Sequence, residues 1–217
     1  FPPQLDAGNL NAKYDVLVFV EGGIPNPQPA GGGGGRGGAP GNVAAAIPNV
    51  PAEYNGQQGR VTVEKTLPEL KTFMEAGGTV IAISDSAMNL ARSLRLPVDS
   101  HLVENGQPFP RTKYFVPGSV LTARIDTSST LAAGMAERTN VFFDNSPVFK
   151  LSPGAESEGV KAFGTFDSKT PLVSGWAWGQ AYLENGAIAL EARIGKGRAL
   201  LFGPEILQRA QPHGSFK

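Results

Sequence analysis

The sequence predicts an open α/β sheet, and three stretches carry that prediction. Glu75 to Leu94 reads as helix end, buried strand, tight turn and new helix. Gly77 and Gly78 stop the first helix, Thr79 to Ile83 is a short apolar run rich in β-branched residues, and Ser84-Asp85-Ser86 offer helix-capping side chains. Tyr14 to Val20 is nearly continuous in apolar residues, the pattern of an inner parallel strand covered by helices on both faces. Ala187 to Phe202 reads as a hairpin turning at Gly195-Lys196-Gly197, with Lys196 at its exposed tip.

A chain of 217 residues suits a single domain, residues 1–217, with a sizeable core. Nineteen basic residues balance nineteen acidic ones, and no Lys/Arg cluster is visible, so neither nucleic acid nor an anionic membrane surface is favoured as a partner. The absence of cysteine excludes disulfides, thiolate metal sites and a Cys nucleophile. No run of eighteen apolar residues and no signal-peptide pattern occurs. The chain starts without Met and stops on Phe216-Lys217, as expected of a piece of something longer.

Taken in order, Tyr14 to Val20 leads into Glu21-Gly22-Gly23 at the strand's carboxyl end, where such folds place functional loops. From about residue 24 to 54 the composition turns to Gly, Pro, Ala and Asn, including Gly31 to Gly35. A segment so poor in apolar side chains reads as a flexible insertion, and without a Lys-Ser/Thr pair it is no phosphate-binding loop. Thr66-Leu67-Pro68-Glu69 fits a capping box, and Leu67, Leu70, Phe73 and Met74 form the apolar stripe of the helix it opens. Ala87, Leu90, Ala91 and Leu94 mark the buried face of the helix after the turn, which Pro97 prevents from running far past Leu96.

Asp99 to Pro117 reads as loops with an edge strand. Ser119 to Ile125, Val141 to Phe143, Val148 to Leu151, Val160 to Phe166 and Leu172 to Trp178 are strands, so the last third is mostly β. Ile206 to Ala210 is a short link, and Pro212-His213-Gly214-Ser215 resembles a helix start.

The chemistry on offer is narrow. With only His101 and His213, and neither in a His-x-x-Glu or His-x-x-x-His pattern, a catalytic metal site is disfavoured. Ser84 stands on a strand-to-helix turn, the place of an exposed nucleophile near helix-start N–H groups. Ala82 and Ser86 replace the usual flanking glycines, and only His101 or His213 could serve as base, so helix capping is the favoured role of Ser84. Trp176 and Trp178, two apart, would share a strand face; they suit either core or interface packing, or a stacking platform for a sugar or peptide. His213 reads as a structural histidine in preference to a base.

Read together, the two turns carry a resemblance. Ala82-Ile83-Ser84-Asp85-Ser86 resembles the nucleophile elbow Gly-Ile-Cys-x-Gly of class I glutamine amidotransferases, and Phe202-Gly203-Pro204-Glu205 resembles their Phe-His-Pro-Glu. Residue by residue, Ser84 stands where that family has its Cys nucleophile, Gly203 where it has its His and Glu205 where it has its Glu. The triad is degenerate, and an unactivated serine hydroxyl is a poor nucleophile near neutral pH.

A wider resemblance runs through Phe-Pro-Pro-Gln-Leu-Asp-Ala-Gly-Asn-Leu, Tyr-Asp-Val-Leu-Val-Phe-Val, Val-Pro-Gly-Ser-Val-Leu, Val-Phe-Phe-Asp-Asn-Ser-Pro-Val-Phe, Ser-Gly-Trp-Ala-Trp-Gly and Gly-Lys-Gly-Arg-Ala-Leu-Leu-Phe-Gly-Pro-Glu. The ending Arg209 to Lys217 belongs to the same pattern. These stretches are similar to the amidotransferase-like domain that follows the catalytic domain of certain bacterial secreted zinc carboxypeptidases.

The resemblance implies a flavodoxin-like, mostly parallel open sheet with β-rich additions, lacking its own first strand and last helix. It implies a non-catalytic domain of a periplasmic or secreted protein, with zinc held only by an upstream peptidase domain. The expected role is packing on that peptidase domain or helping to hold a peptide or cell-wall substrate, through Trp176, Trp178, Asp85, His213 and the elbow mouth. The alternative is a serine hydrolase or amidotransferase-like enzyme using Ser84.

Overall fold

The computed structural model describes residues 1–27 and 51–207. His213 and most of the Gly/Pro-rich stretch therefore lie outside the described residues. In chain order the helices are α1 (Pro2–Asp6), α2 (Thr66–Glu75) and α3 (Asp85–Ser93). The strands are β1 (Val16–Phe19), β2 (Thr79–Ile83), β3 (Val98–Ser100), β4 (Val103–Glu104), β5 (Gln107–Pro108), β6 (Ser119–Ile125), β7 (Arg138–Phe143), β8 (Phe149–Leu151), β9 (Val160–Thr165), β10 (Leu172–Ser174), β11 (Ala187–Ile194) and β12 (Gly197–Phe202).

The chain is α/β with a mixed sheet. The main sheet runs β1-β2-β12-β11-β9-β6-β10, with β7 beside β6, β8 beside β11, and β3 beside β8; β4 and β5 form a separate small hairpin. Parallel pairing joins β1 to β2 and β2 to β12, and every other pair of the main sheet is antiparallel. The parallel part is thus a three-strand unit at one end, and the strands from β6 to β11 are the β-rich remainder.

The helices explain themselves locally. The α2 stripe Leu67, Leu70, Phe73 and Met74 is buried, as is the α3 stripe Ala87, Leu90 and Ala91; both pack with Val80, Ala82, Ala199 and Leu201 into one core. The Phe73 ring lies where a Cβ at Gly78 would stand, so only glycine lets α2 turn this closely into β2. A second core under the antiparallel strands gathers Leu121, Phe143, Val148, Phe166, Leu183 and Ile188.

Three expectations are corrected. Among the described residues Tyr14 to Val20 supplies an edge strand instead of an inner one, and Val16, Val18 and Val20 are 47%, 50% and 55% exposed. An unbroken apolar run reports what a strand can bury and is silent on whether a neighbour pairs with it. The capping box does not form: α2 begins at Thr66, whose hydroxyl donates to Asp6 Oδ1 at 2.6 Å and accepts from Thr62 N at 3.0 Å, tying α2 to α1. The strand expected over Leu172 to Trp178 stops at Ser174, because Gly175 takes a φ of 100° and turns the chain against Ser119. Asp99 to Pro117 holds loops with an edge strand, as expected: β3 is hydrogen-bonded to β8 alone, and the small β4–β5 hairpin is added to it.

Candidate functional site at the carboxyl ends of the parallel strands

Parallel pairing of β1, β2 and β12 brings their carboxyl ends together, so Glu21-Gly22-Gly23, Ser84-Asp85 and Gly203-Pro204-Glu205 emerge at one edge. The Ser84 amide donates to Phe202 O at 2.8 Å, which joins the elbow to the residue before Gly203. The two turns that resemble an amidotransferase site are therefore neighbours.

Ser84 has φ 56° and ψ −135°, a region that L-residues avoid and that strand-to-helix nucleophile turns occupy. It is 5% exposed, and its side chain makes no capping hydrogen bond to α3. The expected helix-cap role of the hydroxyl is thus not observed.

Opposite it, Gly203 is buried, and a Cβ at this position would coincide with the carbonyl oxygen of Pro147. The turn between β7 and β8 fills the space a base would need. His101 is not a substitute in this arrangement: its Nε2 lies 3.1 Å from Glu184 O, with Gly186 packed against the ring. Glu205 is partly buried at the end of the same turn.

Asp85 opens α3 and is partly buried. Burial pushes its carboxyl above the ordinary carboxylate value, the negative charge of Glu21 adds to this, and Arg92 opposes both.

Ser86 and Asn89, which the sequence left unassigned as functional positions, fix the loop after β1. The buried Ser86 hydroxyl donates to Val20 O at 2.6 Å and accepts from Ile24 N at 3.0 Å, while Asn89 Nδ2 donates to Ile24 O at 2.9 Å. Their spacing of three on α3 was the available signal, since it sets both side chains on one helix face.

The tryptophans form a separate surface. Trp176 and Trp178 are 53% and 54% exposed, so they are not core residues of this domain. They are nonetheless held firmly: Ser119 Oγ accepts from Trp176 N at 2.9 Å, Trp178 bridges Phe115 through both backbone groups, and Trp178 Nε1 donates to Thr112 O at 2.8 Å. Phe115 sits edge-on to Trp176 with ring centroids 5.9 Å apart, and the Arg111 guanidinium lies 5.1 Å from the Phe115 ring centre. Nearby, Lys113 lies over both Phe109 and Tyr182.

Among the described residues there is no group of three or more His, Cys, Asp or Glu placed to hold a metal ion. None of their helices is long and apolar enough to cross a membrane.

No family model and no curated protein matches the chain. Among solved structures, a β-galactosidase from Bacillus circulans sp. alkalophilus is similar at a TM-score of 0.48 and 8% identity, over 89% of this chain and 20% of that one. A cytoplasmic protein from Salmonella typhimurium is similar at 0.43 and 13%, over 93% of this chain and 63% of that one. A ThuA-like protein from Bacteroides uniformis is similar at 0.40 and 10%, over 68% and 58%. The chain spans about a fifth of the length of the β-galactosidase, and likenesses at these scores do not assign it to a family.

Proposed function

We propose that this is a non-catalytic accessory domain with a flavodoxin-like, class I glutamine amidotransferase-like fold, belonging to a zinc carboxypeptidase-like protein of the periplasm or cell exterior. Its work is to pack on the peptidase domain or to help hold a peptide or cell-wall substrate. Zinc belongs to the peptidase domain in this reading.

The observation that carries the reading is the carbonyl of Pro147 in the space a side chain at residue 203 would need. An elbow serine needs a base within hydrogen-bond reach, and a backbone oxygen fills that volume instead. The rigid, half-exposed Trp176 and Trp178 support the binding role, because Trp and Arg on a preformed surface are the residues that dominate interface energies.

A second reading, a serine hydrolase, is favoured by one observation: Ser84 keeps the strained elbow conformation with an uncapped hydroxyl. A fluorophosphonate probe separates the two. The accessory reading expects no labelling at Ser84 and no glutaminase activity; labelling that disappears in Ser84→Ala would establish the hydrolase.

A further inference from the structure

The free edge and the bare face of the sheet coincide at β1. Thr79 N donates to Asp15 O at 3.0 Å, and backbone groups alternate along a parallel ladder, so Leu17 and Phe19 turn their N–H and C=O toward β2. Val16 and Val18 turn theirs outward, where no strand pairs with β1 among the described residues. The same valines, with Val20, point their side chains away from the helices, since Leu17 and Phe19 pack with the α2 and α3 core. The strand is therefore open in two directions at once.

Winding direction says what would close it. From β1 the chain crosses to β2 with α2 on the covered face. Crossovers of parallel strands are right-handed, so a unit winding away from β1 in the opposite sense lays its helix on the other face, above the valines. Charge agrees with this placement. Val16, Thr79, Arg198 and Arg193 stand side by side in one row across that face, at the amino ends of the parallel strands. A crossover helix ends there, and its negative carboxyl terminus would meet the Arg193 guanidinium, since the Arg198 guanidinium is already paired with Glu191 Oε1 at 3.1 Å on the same face.

Three half-exposed valines fall well short of the roughly 800 Å² per partner that a stable independent interface needs. The occupant must bring strand and helix together.

We propose that β1 and the valine face seat a strand–helix unit of an adjoining polypeptide: an apolar strand parallel to β1, followed by an amphipathic helix lying across Val16, Val18 and Val20. This stands apart from the accessory-domain reading, because it holds whether or not Ser84 is active.

The absence of cysteine gives a direct test. Val18→Cys introduces a single thiol at the proposed seat, and Val173→Cys introduces one at a site of similar exposure elsewhere. In the isolated 217-residue chain both react with a maleimide at similar rates. In the polypeptide made by its natural host, Cys at 18 is expected to react at least about tenfold more slowly than Cys at 173. Equal rates in that polypeptide overturn the proposal. Protection that appears in the isolated chain and fades on dilution also overturns it, in favour of a second copy at the edge. Val16→Cys, in the same outward row, repeats the measurement should the first variant not fold.

Discussion

Ser84 shows how much a single backbone angle can decide. The sequence made a serine at a strand-to-helix boundary a helix cap, because Ser is a preferred cap and nothing in a letter code reports φ. The structure puts it at φ 56°, where the strain is of the order of 1–3 kcal/mol for a residue with a Cβ. Glycine has no such penalty but loses more freedom on folding, about 0.4–1 kcal/mol. Ser84→Gly is therefore expected to stabilise the domain by about 1 kcal/mol, read from urea denaturation. Unchanged or lowered stability would mean that the serine side chain makes interactions that outweigh the strain. Asp85 gives a pH signature. A carboxyl raised in the fold binds more protons folded than unfolded, so it costs stability as pH rises from the ordinary carboxylate value through the raised one. Asp85→Asn cannot ionise, so its melting temperature relative to the parent should climb across that interval and level off above it. A difference that stays flat with pH contradicts the shift. The helix-start dipole acts only on the ionised carboxylate and is therefore already contained in the carboxyl's net shift, whereas the capping and packing differences between Asp and Asn do not depend on pH; the pH dependence and not the absolute difference is the readout.

At the scale of elements, what was legible depended on whether a residue's neighbours in sequence are also its neighbours in space. The β11–β12 hairpin and the α2 stripe follow from glycines and a 3.6-residue period, both local signals, and the structure has them where the residues place them. The edge position of β1 and the occupation of the base's space by Pro147 depend on which strand arrives from elsewhere in the chain, and no local pattern encodes that. Trp176 and Trp178 failed as strand partners for a related reason: Gly175 turns the chain before them, and only the Ser119 contact shows that it must. The loop after β1 is an element of this second kind, pinned by a helix more than sixty residues away. Ser86→Ala leaves the Ile24 amide and the Val20 carbonyl without their hydroxyl partner, which is expected to cost about 1–3 kcal/mol. Amide exchange at Ile24 should accelerate more than at Leu190 in the core; uniform acceleration would mean that the hydroxyl supports the whole fold and not this loop.

For the whole molecule, two working surfaces can be separated by their energetics. Apart from the Trp178 Nε1 bond to Thr112 O and the edge contact of Trp176 with Phe115, the tryptophan surface is held by the backbone and by Ser119, so its half-exposed rings contribute little to the fold itself. Trp176→Ala with Trp178→Ala should leave the urea midpoint within about 1 kcal/mol of the parent, while binding to the peptidase domain or to peptidoglycan fragments, followed by calorimetry, should weaken at least tenfold. A large loss of stability with binding intact would assign the rings to folding instead. The bond from the Ser84 amide to Phe202 has a different kind of consequence. It joins two points separated by more than half the chain, and β2 has no neighbour on that side until β12 arrives. Such distant pairings form slowly, because the intervening loop must be closed before the contact repays it. During synthesis β2 must wait for almost the whole domain to emerge, so its apolar edge is exposed longest while the chain is still incomplete. The elbow is among the last features of the molecule to exist.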